Sequence, residues 1–478
     1  MLIRDAAYEA LPKSARAKLH ERFAEWLEVR APELVELDEI VGYHLEQSTL
    51  YRLELGALTE REQAVAAVGA ERLLVAGERA LQRRDVRASA SLLRRGLSLL
   101  PPGTRAVERE WKLVLALMDS GDLPQAREQA DDLATRGAAA GDRRAELYGR
   151  LASAFVAFLA APEEMSMDAL EQLAEGARAE FEAMGDELGV GLCWFALAHV
   201  HHNACRWQER HEALGMAQGC GERVGDDYLQ KFALLWMAAG PVYGPMPTDE
   251  GLRWFDTNEE ALGDAPMIAS LRASVEARVG NFDTARALMR GSRARLAELG
   301  QALWLAGIGL QACAIETLAG DHDAAAREGI AGCEALQALG ERGWLSTLAG
   351  QTAQALLEVD RDDEAEHWIG VADAVGGADD VITQALIREV RARLLSRRGN
   401  QAEAERLARE AVGLTERTDM LEAIADAKLN LAGVLQAAGK NSERLQAIEE
   451  ALALYEQKRH LVGMARAGAL LESARSPA

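Results

Sequence analysis

Gly280-Asn281, Gly320-Asp321, Gly399-Asn400 and Gly439-Lys440 are one small-polar pair met four times, and Asp360-Arg361 stands where a fifth is due. The steps from 280 to 320, 360, 399 and 439 are 40, 40, 39 and 40 residues. An alanine follows five positions later as Ala285, Ala325, Ala365 and Ala404, and again as Ala126 after Gly121-Asp122. Arg84-Asp85 and Cys205-Arg206 fall at compatible phase as degenerate copies. The positions expected near 163 and 244 are irregular, and Pro162, Pro241, Pro245 and Pro247 fall there. A fixed period of this length is the mark of a repeat architecture.

A second series, Gly141, Gly185, Gly225, Gly300 and Gly340, lies about halfway between. Each repeat therefore reads as two helices of roughly four turns, with a small residue at each reversal. Glycine suits those places because helices commonly end in the left-handed region, which only glycine visits freely. The alanine lets the paired helices approach closely, and Trp304 and Trp344, 40 residues apart, occupy the same place in successive helices. No single pair buries its apolar face alone, but stacked pairs do. The expectation is an all-α, right-handed superhelical solenoid of about ten tandem helix-turn-helix repeats of ~40 residues. The repeats occupy 84–478, with a capping helix around Leu461 to Ser473.

Residues 1–83 fit the period less cleanly and form a separate helical segment, two of its helices broken at Pro12. Three motifs stand out: Leu2-Ile3-Arg4-Asp5-Ala6-Ala7-Tyr8 leading through Leu11 and Arg16 to His20, then Tyr43-His44-Leu45-Glu46-Gln47, then Arg52-Leu53-Glu54-Leu55-Gly56. This region resembles the segment that follows the ATPase in large bacterial signalling proteins. Those combine an adenylate/guanylate cyclase domain, a P-loop ATPase and a C-terminal tetratricopeptide-like array. The repeat region is similar to the long-repeat arrays of maltose-regulator-type transcription activators. The resemblance implies a C-terminal piece lacking the cyclase and ATPase halves, so no family chemistry carries onto a residue here.

Composition narrows the function classes. With 53 basic and 76 acidic residues the net charge is −23, which repels nucleic acid and anionic lipid, and no long Lys/Arg run overrides it. Cys193, Cys205, Cys220, Cys313 and Cys333 are odd in number and irregular in spacing, as expected of reduced thiols in a cytoplasmic protein. The uncharged stretches Leu188 to Cys205 and Leu299 to Ile315 read as buried helices rather than membrane spans. Gly439-Lys440 lacks the rest of a P-loop, and no H-E-x-x-H, G-x-S-x-G or S-x-x-K occurs. Asp362-Asp363 and Asp379-Asp380 read as solvated helix ends. No catalytic, cofactor-binding or metal-binding residue is assigned.

Two local features remain. His199, His201, His202 and His211 cluster around Cys205; His199/His202 and His201/Cys205 have spacings that share a helix face, but no further ligand is fixed for a metal. The stretch Ala239-Gly240-Pro241-Val242-Tyr243-Gly244-Pro245-Met246-Pro247 reads as a tolerated insertion, or as a hinge or loop that reshapes the concave groove. The resulting expectation is a non-catalytic interaction and regulatory scaffold, binding a protein partner or small-molecule effector along the concave face. The alternatives are the non-catalytic part of a cyclase or ATPase enzyme, and the effector-sensing arm of a transcription activator.

Overall fold

A computed structural model describes residue 8 and residues 10–83, 85–101, 106–160 and 164–475. The Leu2–Ala7 part of the opening motif, Arg84, Pro162 and the tail 476–478 lie outside the described residues. Among the described residues every regular element is a helix, and successive helices pack as pairs joined by short turns. The architecture is a tetratricopeptide-like tandem array.

The turns explain the period. Gly280, Gly320, Gly399 and Gly439 have φ of 86°, 76°, 84° and 72°. The amide of the following residue donates to the carbonyl five positions earlier: Asn281 to Glu276 (3.0 Å), Asp321 to Glu316 (3.0 Å), Asn400 to Leu395 (2.9 Å) and Lys440 to Leu435 (2.9 Å). This is the wide bond of the Schellman cap, which satisfies a carbonyl the helix leaves open. Asp360 and Cys205 adopt the same conformation without being glycine, at φ 57° and 53°. Arg361 then donates to Leu356 (3.0 Å) and Arg206 to His201 (2.8 Å). Asp360-Arg361 and Cys205-Arg206 are thus true copies of the turn, held against a left-handed cost of about 1–2 kcal/mol for an L-residue.

The register alanines Ala126, Ala285, Ala325, Ala365 and Ala404 are all 0% exposed. Trp304 and Trp344 pack ring to ring at 5.1 Å, as equivalent positions in successive repeats should. Where Leu123–Ala139 meets Arg143–Ala160, a methyl on Gly149 would lie 2.3 Å from the Ala134 backbone nitrogen, so only glycine fits.

The chain forms two compact units, Met1–Ala196 with Cys220–Tyr228, and Leu197–Gly219 with Leu229–Ala478. The first unit runs from Lys13–Arg30 through Met167–Met184 in sequential pairs. A cavity of about 220 Å³ in it is lined by Glu78, Lys112, Asp226 and Tyr228 among others, and Lys112 bridges Glu78 (3.3 Å) and Asp226 (3.1 Å).

In the second unit, Pro266–Arg278, Gly309–Ala319, Gly343–Glu358, Val381–Arg397 and Leu421–Ala437 form a continuous row, each touching the next. The core between this row and its partner helices includes Cys313, Cys333, Leu348, Leu356, Trp368 and Val390. The run Ala302–Ala319 has the length and mean hydropathy (1.5) of a membrane span. It breaks at Ile308 into Ala302–Gly307 and Gly309–Ala319, and Ile308, Ala312, Cys313 and Ile315 are buried within the unit. Pro266–Arg278 also meets the last helix, Leu461–Arg475. The second unit therefore closes on itself.

Candidate functional site

The closure is built on the Pro/Gly stretch 239–247. Its Gly240–Tyr243 portion folds into one helical turn, Pro241 falling at the start where a missing amide costs nothing. A methyl on Gly244 would lie 2.9 Å from the Gly240 carbonyl oxygen and 3.0 Å from Trp207 Cβ, so the chain can double back only because this residue is glycine. The stretch is the point to which the far end of the array returns.

Lys458, Thr248 and Asp419 each contribute to the closure. Lys458, 1% exposed, donates from Nζ to the Pro241 carbonyl (3.1 Å) and to the Gly244 carbonyl, capping that short turn with a cation. Buried Thr248 donates from Oγ1 to the Lys458 carbonyl (2.9 Å). Asp419 accepts from the Trp207 (2.9 Å) and Gln208 (2.7 Å) amides, at the N-terminus of the helix Trp207–Val224. An anion at a helix N-terminus and a cation at a C-terminal turn are each favoured by the backbone dipoles, and both come from residues more than 200 positions away.

Beside them lies a charge cluster. Arg278 donates from Nε to Glu422 (2.7 Å), and His460 Nε2 lies 3.3 Å from the other Glu422 oxygen. Burial works to raise the Glu422 carboxyl, yet Arg278 and His460 hold it well below the usual range. Burial, with Arg278 adding to it, pulls the Lys458 ammonium down to about 7. Arg459, between Lys458 and His460, has φ 52°. This non-glycine left-handed residue aims its two neighbours into the closure while its own guanidinium reaches Asp249 (2.7 Å).

The histidine cluster lies next to the same stretch. His199 packs on Trp236 (4.6 Å between ring centroids), and His202 stands edge-on to Trp207 (5.0 Å). Trp207 in turn packs on Tyr243 (4.9 Å), whose hydroxyl accepts from Gln311 Nε2 (2.8 Å). Burial, with Arg210 and His199 adding to it, holds His202 at about 3. Among the described residues no three His, Cys, Asp or Glu side chains converge as a metal site. All five thiols are free and buried, and burial pushes Cys193, Cys205, Cys313 and Cys333 up to about 12.

The remaining sequence candidates occupy structural positions. Gly439 is a left-handed turn residue, and Lys440 pairs with Glu405 (2.8 Å). Asp362 pairs with Arg397, and Asp380 caps its helix by accepting from the Thr383 amide (3.0 Å). Sequence reading missed Asp419, Lys458, Arg278, Glu422 and the buried Glu389. One signal existed: Arg459 stands 20 residues after Gly439, where the halfway series calls for a glycine.

No protein-family model matches the sequence, and no curated protein matches it. Solved helical-repeat structures are similar in arrangement. The crystal structure of yeast Tom70 matches at 14% identity, covering 97% of this chain and 96% of that one, with a TM-score of 0.39. A Rap protein complexed with competence and sporulation factor matches at 10% identity, covering 77% and 97%, with a TM-score of 0.40. The human IFIT1 dimer with m7Gppp-AAAA matches at 14% identity, covering 91% and 94%, with a TM-score of 0.45. Scores this low carry no argument about what this chain binds.

Proposed function

We propose that this chain is a non-catalytic regulatory scaffold, the sensor arm of a bacterial cyclase/ATPase signalling system. The observation that carries the reading is the closure of the second unit by hydrogen bonds and ion pairs between residues more than 200 positions apart. A sensor needs two states that an effector can distinguish. A polar closure supplies the means, because each contact exchanges for water at modest net cost, unlike a fused apolar core. The motifs Tyr43–Gln47 and Arg52–Gly56 support the cyclase/ATPase setting. The −23 charge supports a protein or small-molecule effector rather than nucleic acid, and the buried free thiols support a cytoplasmic location.

The test uses the full-length protein of the same locus, with and without residues 84–478, assayed for nucleotide-cyclising or ATPase output across a metabolite panel. Loss of the effector response on deletion supports the reading. An identical response in both forms sinks it.

A further inference from the structure

Arg210 is 1% exposed, and among the described residues no carboxylate pairs with it. Its Nη2 donates to the Trp236 carbonyl (2.8 Å), and its guanidinium lies over the rings of Trp207 (4.9 Å) and Trp236 (5.7 Å). Those π-faces offset part of the cost of burying the charge. They leave Nη1 buried and unpartnered. Arg286, Arg293 and Arg397 of the second unit are less buried, and each has a carboxylate partner.

Nη1 is one of several such atoms here. Trp207 Nε1, His202 Nδ1 and His211 Nδ1 are also buried without a hydrogen-bond partner. They share one neighbourhood: Trp207 lies against both Arg210 and His202, and Arg210 acts electrostatically on His202 and His211. His211 Nδ1 faces the Pro/Gly stretch, 3.4 Å from where a methyl on Gly240 would sit. All four orphaned atoms are nitrogens. Indole and guanidinium nitrogens can only donate, and a neutral imidazole presents one N–H. The chemical complement of such a set is an acceptor-rich, negatively charged group.

We propose that Arg210, Trp207, His202 and His211 form a site for the carboxylate or phosphate of a small effector. This deepens the sensor reading and rests on it, since it names the class of effector. The cation–π faces orient the guanidinium, whose free Nη1 and the Trp207 indole N–H supply the anion's hydrogen bonds. Entry requires the 239–247 stretch to shift, because Tyr243 lies over Trp207 and Gly240 beside His211. Lys458 and Thr248 hold that stretch in place, so anion entry and closure are exclusive or strained against each other.

The probes are inorganic phosphate and succinate, titrated into the intact chain by calorimetry and thermal shift at constant ionic strength. Arg210→Met, Arg210→Lys and Trp207→Phe are compared, each first checked for an unchanged helical spectrum. Phosphate or succinate is expected to bind the wild type, and whichever binds identifies the headgroup. Arg210→Met should weaken binding roughly 10- to 100-fold, the range for losing a charge-assisted hydrogen bond. Arg210→Lys should recover part of it, and Trp207→Phe, which keeps the ring and deletes the N–H, should cost a few-fold. If neither anion binds, or if Arg210→Met and Trp207→Phe bind as well as the wild type, the orphaned nitrogens hold only water and the site is refuted. That outcome leaves the sensor reading standing on its own deletion test.

Discussion

Asp419→Ala isolates the closure of the second unit. The carboxylate spans two amides in the first turn of Trp207–Val224, at 2.9 and 2.7 Å, and belongs to a residue that precedes Leu421–Ala437. A hydrogen bond to a charged acceptor contributes about 1.5–3 kcal/mol. The Gln208 amide is exposed and regains water, whereas the Trp207 amide is partly buried and does not fully recover. The net loss is therefore nearer one strong bond than two, about 2 kcal/mol, in the upper range for losing a helix cap. That corresponds to roughly a 30-fold fall in protection wherever exchange proceeds through opening of the closure. Hydrogen exchange of segments 205–210 and 458–463 reads it directly, with urea unfolding as the global measure. Asp419→Asn, which keeps one acceptor without the charge, should recover about half. If Asp419→Ala unfolds within about 0.5 kcal/mol of wild type and leaves exchange at 458–463 unchanged, the two ends are not energetically joined.

Three further outcomes follow from the same geometry. Burial, with the Asp426 carboxylate adding to it, raises Glu389 to about 8, against the pull of Arg393 and the hydrogen bond from Gln354 (2.7 Å). Between the ordinary carboxyl range and pH 8 the folded state keeps a proton the unfolded chain releases, so stability falls as pH rises through that window. Glu389→Gln should remove the fall, stabilising the protein by a few kcal/mol at pH 9 and by almost nothing at pH 4, as thermal melts at the two pH values would show. Lys458 runs the opposite way: from about 7 upward the fold releases a proton the unfolded chain keeps, so stability rises toward pH 10, and Lys458→Met should flatten that rise. Asp360→Gly should stabilise by up to about 1 kcal/mol in thermal unfolding, because it relieves a left-handed residue whose side chain is 89% exposed; a loss of stability would show that the Asp360–Arg397 pair outweighs the strain.

The repeat was legible because it is local. A left-handed turn residue, the wide Schellman bond and an alanine at the helix contact all lie within about ten residues of one another. They recur wherever the turn does, so Asp360 and Cys205 were recognisable by phase although neither is glycine. The closure is not local. Asp419 sits in an ordinary inter-helix loop, and nothing in its neighbours says that its carboxylate reaches the amides of Trp207 and Gln208. The histidine cluster was visible as spacing, but spacing favours a metal and says nothing of Trp236 and Arg210, which decide the surroundings. The Pro/Gly stretch was visible as an interruption. Its role as the docking point for Lys458 needed the fold, because sequence separation of more than 200 residues carries no periodic signal.

What distinguishes this closure is its chemistry. Elsewhere in the second unit the interior between neighbouring helices is mostly alanine, leucine and buried cysteine, with Glu389 the buried charged exception and ion pairs such as Arg286–Glu316 and Arg293–Glu328 at the margins. At the closure the contacts are a carboxylate on a helix N-terminus, an ammonium on two carbonyls, and an Arg–Glu–His cluster. Buried charges of this kind add little net stability over an apolar contact of the same size, but losing one partner is costly. A joint made this way is sensitive to any group that competes for one of its members. An apolar joint would hold the ring shut under all conditions. A polar one presents charged partners for which the anion proposed at Arg210 would compete.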